Sequence, residues 1–192
     1  MHAQPTATDP RVLRWVVAET LPTGRLRDAP GDLGELLRRG CIASATSEPH
    51  GIVIALRPPF TWASEGEQVR RALTAAIPQT EQWELTGDED AILAEITKDI
   101  LAGPVGDFVR GHGGEIRVVE AHDAVVVVAL DGACRGCGAA GQTLHQRLDG
   151  AIRERYPALR EVREEQPARV RGLWPRLRAA RGDHSPHGDS VT

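Results

Sequence analysis

Of the 192 residues, the segment Cys134-Arg135-Gly136-Cys137 has residue types and a spacing that point to chemistry beyond packing. Cysteines three apart at a helix start direct both sulfurs to one side. The unpaired N–H groups and positive dipole end there favour thiolates, the metal-binding and nucleophilic form. Arg135 adds positive charge, while Gly132 and Gly136 remove side chains beside the sulfurs, so that backbone amides can approach a bound ion or an inorganic sulfide. Three cysteines in all, two of them only three residues apart, do not make a secreted disulfide framework. In a reducing compartment such a pair points to metal or redox chemistry.

Three chemistries compete for the pair. A redox dithiol of thioredoxin type also sits between a strand and a helix, but here Arg-Gly separates the cysteines and no Trp precedes them. Structural zinc needs four ligands, which His112, His122 or His145 would have to complete, and there is no second Cys-x-x-Cys. As surface residues the same histidines need no metal. An iron-sulfur cluster usually takes four thiolates, of which one chain supplies two here and two chains would supply four.

The elements that must position the pair can be read from periodicity. Val125 to Leu130 is apolar on both faces, which predicts a central strand, and Ile116 to Val119 pairs with it in a hairpin across His122-Asp123. Gly111-His112-Gly113-Gly114 must turn. Ahead of it, Ile92, Leu93, Ile96, Ile100 and Leu101 form an amphipathic helical stripe after Asp88, broken by Pro104 before a short Phe108-Val109 segment. After the cysteines, Leu144, Leu148 and Ile152 recur every four residues until Pro157, and Leu159 to Glu164 is expected to return as an edge strand.

The first half reads as a separate small α/β module. Order is expected from about Asp9, with a strand over Val12 to Val17 and a long connection marked by Pro22, Gly24, Pro30 and Gly31. Asp32 is expected to cap a helix over Leu33 to Arg39 that Gly40 stops, and Gly51 to Leu56 reads as the next strand. Ser64 and Glu67 have capping-box spacing ahead of Val69, Leu73 and Ile77. Cys41 is expected to be a small buried thiol rather than a third ligand. Trp15, Trp62 and Trp83 are expected to pack.

Residues 88–164 resemble the C-terminal domain of the NifU family: an amphipathic helix, the Gly113-Gly114 turn, a hairpin, then Gly132-Ala133-Cys134-Arg135-Gly136-Cys137 and a helix. Residues 9–77 more loosely resemble the N-terminal domain that accompanies it in Nfu-type proteins. The resemblance implies an α+β fold; composition and patterning divide the chain into two small domains, 1–84 and 85–166, and a mostly disordered tail, 167–192. It further implies a homodimer holding one four-iron four-sulfur cluster between two Cys-x-x-Cys pairs, with Cys134 and Cys137 as the ligands, and a scaffold or carrier role toward client apoproteins. Gly138-Ala139-Ala140 departs from the Pro-Ser-Ser usual in the family, removing hydroxyl donors that would tune a cluster.

The whole chain narrows the remaining classes. A composition of 41% hydrophobic and 26% charged residues suits a soluble globular protein, and a net charge of −4 gives no electrostatic reason to expect nucleic acid. Nor is there a run apolar enough to span a bilayer, or a signal sequence, so a cytoplasmic location is expected. With no Ser/His/Asp set, paired-carboxylate motif, phosphate loop or dinucleotide fingerprint, no enzymatic turnover is expected. The Arg-rich segment after Gln166, with Trp174 among its arginines and the spaced His184 and His187, reads as a solvated tail.

Overall fold

The computed structural model of the chain describes residues 1–133 and 138–165. Cys134 and Cys137 and the expected tail lie outside them. The fold is α+β, with nine strands in two sheets among the described residues. In the first half the strands are β1 (His2–Pro5), β2 (Leu13–Val16), β3 (Gly24–Asp28), β4 (Ile42–Glu48), β5 (Gly51–Leu56) and β6 (Glu84–Thr86). They form one antiparallel sheet in the order β1-β2-β5-β4-β3-β6.

Helices α1 (Gly31–Arg38) and α2 (Trp62–Ala76) pack on this sheet. Leu33 and Leu36 from α1 and Val69 and Leu73 from α2 are fully buried with Ile52 and Ile54 of β5, and Trp15 joins the same cluster. Burying a Leu or Ile side chain stabilises by about 1.5–3 kcal/mol, so this cluster is the main source of the half's cohesion.

The sequence expectation for this half misses β4 and β6, and it needs four further corrections, each with a local cause. Order begins before Asp9, because the polar segment His2–Pro5 pairs its backbone with β2 as an edge strand, which requires no apolar side chains. The connection from Pro22 to Gly31 contains β3, whose Leu26 is buried while Arg25 and Arg27 are exposed, a five-residue alternation too short to register as a pattern. Asp32 lies inside the first turn of α1 rather than at its cap, where Pro30 stands. The capping box of α2 is Thr61 with Ser64, three residues earlier than expected, so Ser64 is the inner partner instead of the cap.

The second half continues with α3 (Glu89–Ala102), α4 (Pro104–Gly111), β7 (Gly114–His122), β8 (Val125–Gly132), α5 (Gly138–Arg155) and β9 (Glu161–Glu164). Asp88 caps α3 by accepting from the Asp90 amide. The Phe108-Val109 segment is a full helix, started by Pro104 at its first position. β8 is central, antiparallel to β7 and parallel to β9. The hairpin turns on two residues, Asp123 and Ala124, both with positive φ (55° and 60°), a type I′ conformation that matches the twist of the flanking strands.

One face of this sheet is core. Val126 and Val128 of β8 and Val162 of β9 pack with Ile92, Leu93 and Ile96 of α3 and with Leu148 and Ile152 of α5. On the opposite face Val125 and Val127 are flanked by Glu120, Arg163 and His122, so the apolar content of β8 is only half used in the core.

Candidate functional site

The approach to the cysteine pair is built where three elements end. α4 closes on Gly113, whose N–H donates to the Arg110 carbonyl and whose φ of +73° turns the chain into β7. The first residue of β7, Gly114, pairs with the last residue of β8, Gly132. The Ala133 amide then donates to the Gly113 carbonyl at 3.2 Å, carrying the contact to the residue before Cys134.

Glycine is required at 132 for two separate reasons. Its φ is +68°, and a Cβ there would stand 2.6 Å from the Gly113 oxygen, closer than carbon and oxygen approach without displacement of the backbone. Gly113-Gly114 and Gly132-Ala133, separated in sequence by the whole hairpin, are thus one structural unit at the exit of β8.

Beneath this unit lies a small apolar cluster of Val109, Leu130 and Leu144, which ties α4, β8 and α5 together. Phe108 adds a second tie: the Arg147 guanidinium of α5 lies 4.5 Å from its ring centroid, and the His112 ring stacks at 4.5 Å, tilted by 46°. The segment bearing Cys134 and Cys137 therefore departs from a fixed strand end and leads to a helix anchored on α4. Neither Phe108 nor Arg147 stood out in the sequence, since a lone aromatic and a helical arginine carry no motif.

The histidines weighed as zinc ligands have separate occupations. His112 Nδ1 donates to the Phe108 carbonyl at 2.7 Å. His122 Nδ1 lies 2.8 Å from Asp90 Oδ2, and this hydrogen bond, with the charge of Asp90, holds the imidazole above its ordinary pKa of 6.5. Asp90 also accepts from the Asp123 amide at 2.9 Å, clamping the hairpin turn to the start of α3. His145 lies beside Leu144 and Leu148 at the edge of the second core. Among the described residues no group of three or more His, Cys, Asp or Glu converges on a metal position.

Cys41 is buried, as expected. Its amide donates to the Leu36 carbonyl while Gly40, at φ +74°, donates to Leu37, the paired bonds of a helix-ending Schellman motif. Burial pushes the Cys41 thiol above its ordinary pKa, disfavouring the reactive thiolate. Trp15 and Trp83 lie in the first core; the Trp15 and Trp62 rings are 6.1 Å apart, and Trp62 Nε1 donates to the Arg11 carbonyl. No helix among the described residues is long and apolar enough to cross a membrane.

Comparison with known proteins bears on the second half. The family model described as NifU-like domain matches residues 98–163, from the last turn of α3 to β9. The Fe/S biogenesis protein NfuA of Ruthia magnifica subsp. Calyptogena magnifica is 30% identical over 95 residues, which cover 49% of this chain and 48% of the relative. NfuA of Yersinia enterocolitica is 26% identical over 99 residues, 51% of each chain. NfuA of Aeromonas hydrophila is 25% identical over 120 residues, 62% of this chain and 56% of the relative. The chain spans about half the length of the curated relatives it matches. The glycine unit, the hairpin and the following helix all lie inside the segment that is similar to a NifU-like domain.

Proposed function

We propose that this chain carries an iron-sulfur cluster as cargo, bound through Cys134 and Cys137, and hands it to client apoproteins. The observation that supports this most is the joining of Gly113 to Gly132-Ala133. That contact gives the segment leading to Cys134 a defined exit from β8, at the one place where a Cys-x-x-Cys lies between a strand and a helix. The names of the similar proteins, which are Fe/S biogenesis proteins, agree with it.

Two thiolates per chain leave a four-iron four-sulfur cluster half-ligated, so in this reading a second copy supplies the other two and the carrier is a homodimer joined by its cargo. Ligands on a short segment can be replaced one at a time by an acceptor's thiolates, each both an entering and a leaving group, which favours delivery over storage. The role is that of a cytoplasmic carrier, not an enzyme. In this reading the first sheet with its helices governs client recognition or dimer geometry, and the second half bears the cluster.

Anaerobic incubation with ferrous iron and sulfide tests this directly. The expected product is a coloured dimer with four iron and four sulfide per two chains. Cys134→Ser and Cys137→Ser abolish it, while Cys41→Ser retains it. A colourless monomer with a reversible Cys134–Cys137 disulfide would overturn the proposal in favour of a dithiol oxidoreductase, and one tightly held zinc per chain in favour of a zinc-stabilised interaction module.

A further inference from the structure

The two apolar cores are separate clusters, and charged side chains from both halves pair between them, beside the apolar Val12, Val53 and Ile92. The face of the first sheet turned away from α1 and α2 carries Arg14, Val53, Thr46 and Glu48, as the β2–β5 and β4–β5 registers require. Across it lie α3 and the C-terminal end of α5, enclosing a cavity of about 250 Å³ lined by Thr46, Glu48, Glu95, Lys98, Asp99 and Arg155, among others.

Arg155, the last residue of α5, is the keystone of this junction. Its Nε donates to Glu48 Oε2 at 3.1 Å and its Nη2 to Glu48 Oε1, a bidentate pair, while its Nη1 donates to Asp99 Oδ2 at 2.7 Å. On the other side Glu48 accepts from Arg14 Nε at 2.9 Å, and Arg14 Nη2 donates to the His50 carbonyl. The four side chains are 3–15% exposed, so their pairing is subject to little water screening. Two outer bridges accompany them: Thr8 donates its amide and hydroxyl to Asp99, at 3.0 and 3.1 Å, and Arg25 pairs with Glu95 in solvent.

The order of charges decides how this junction behaves. Arg14 and Glu48 both belong to the first half; Asp99 and Arg155 both belong to the second. Separating the halves breaks the Glu48–Arg155 contact yet leaves each with its own neutral pair. The large cost of parting buried ions arises when one partner is left alone, and here neither is. An apolar interface would instead expose its whole area to water, and inter-domain contacts rich in polar groups are the kind that open.

We propose that the Arg14–Glu48–Arg155–Asp99 quartet is a reversible joint, docking two neutral ion pairs and thereby holding the first sheet against the C-terminal end of α5. α5 has 18 residues, so it spans about 27 Å between this joint and the segment that carries Cys137. Undocking frees the first half to swing while the Gly113–Gly132 unit stays intact. The joint does not depend on what the cysteines bind.

The test uses the full, metal-free chain. In Arg155→Gln the bidentate contact is lost while Arg14 keeps Glu48 and Thr8 keeps Asp99. The variant is expected to show a larger radius of gyration by small-angle scattering on the monomer peak, and two calorimetric transitions where the unaltered chain shows one. Its far-ultraviolet dichroism should be unchanged, which a general loss of structure would not allow. Should that variant fail to fold, Arg155→Lys decides in its place: it keeps the charge but loses the bidentate contact to Glu48, and is expected to widen the scattering profile in the same way. A profile and transition unchanged in whichever variant folds would overturn the joint.

Discussion

Gly40-Cys41 in the first half resembles Gly132-Ala133-Cys134 in the second by residue type, yet the two glycines stand in different surroundings. Both glycines take positive φ, +74° and +68°, and both end an element. After Gly40 the chain turns inward, so that Cys41 is wholly buried beside the start of β4 and its thiol is held protonated by desolvation. At Gly132 β8 ends against the Gly113 carbonyl, which occupies the space a side chain would need and takes the Ala133 amide. A glycine beside a cysteine is therefore not enough to mark a site, as the enclosed Cys41 shows.

That contrast can be broken at graded cost. The largest effect is expected from the cores that hold the two exits: Ile152→Ala in the second half and Leu36→Ala in the first, both fully buried, should each lose about 2–5 kcal/mol in urea unfolding. If α5 is the support of the cysteine segment, Ile152→Ala alone should also impair iron and sulfide uptake. Next comes Gly132→Val, which combines positive φ with the 2.6 Å approach to Gly113 and should cost about 2–4 kcal/mol by the same measurement. Gly40→Ala brings its Cβ only to ordinary contact with the Arg57 side chain, at 3.6 Å, and meets little beyond the φ penalty, about 1 kcal/mol, so the two glycines should separate clearly.

A smaller effect is expected at Cys41 itself. Cys41→Ser puts a hydroxyl where the buried thiol lies beside Arg39 and Glu65 and should cost about 0.5 kcal/mol, and in the unaltered chain iodoacetamide should modify Cys134 and Cys137 well before Cys41. Equal rates at all three would erase the contrast.

The smallest effect is at the hairpin turn. The folded pKa of His122 is raised by Asp90, so the stability of that pair is fully present below about 6.5, the ordinary histidine value, and is lost as pH rises through the raised folded value. His122→Gln should lower the melting temperature slightly at about pH 5 and leave it unchanged at about pH 9. An equal drop at both values would assign the loss to packing.

Much of the second half was legible because its signals are local. The spacing of Ile92, Ile96 and Ile100, the run Val125 to Leu130 and the repeat Leu144, Leu148, Ile152 each state an element within a few turns or residues, and each corresponds to α3, β8 and α5. The first half was less so. β1 owes its place to backbone pairing, β3 is five residues long, and the helix cap at Thr61 competes with a better-looking box three residues on. Short or polar elements are specified by their partners rather than by their own side chains.

By itself the sequence determined the α+β class, a Cys-x-x-Cys between a strand and a helix, and the glycines that allow the chain to turn on either side of it. Those are matters of side-chain period and of φ, which neighbouring residues settle. Only the tertiary structure decided that Gly113 and Gly132 touch, that Cys41 is enclosed, and that Arg155 reaches Glu48, 107 residues away in the chain. Contacts across such separations depend on how sheets and helices pack, and a side chain's own chemistry states that it can pair but not with which partner.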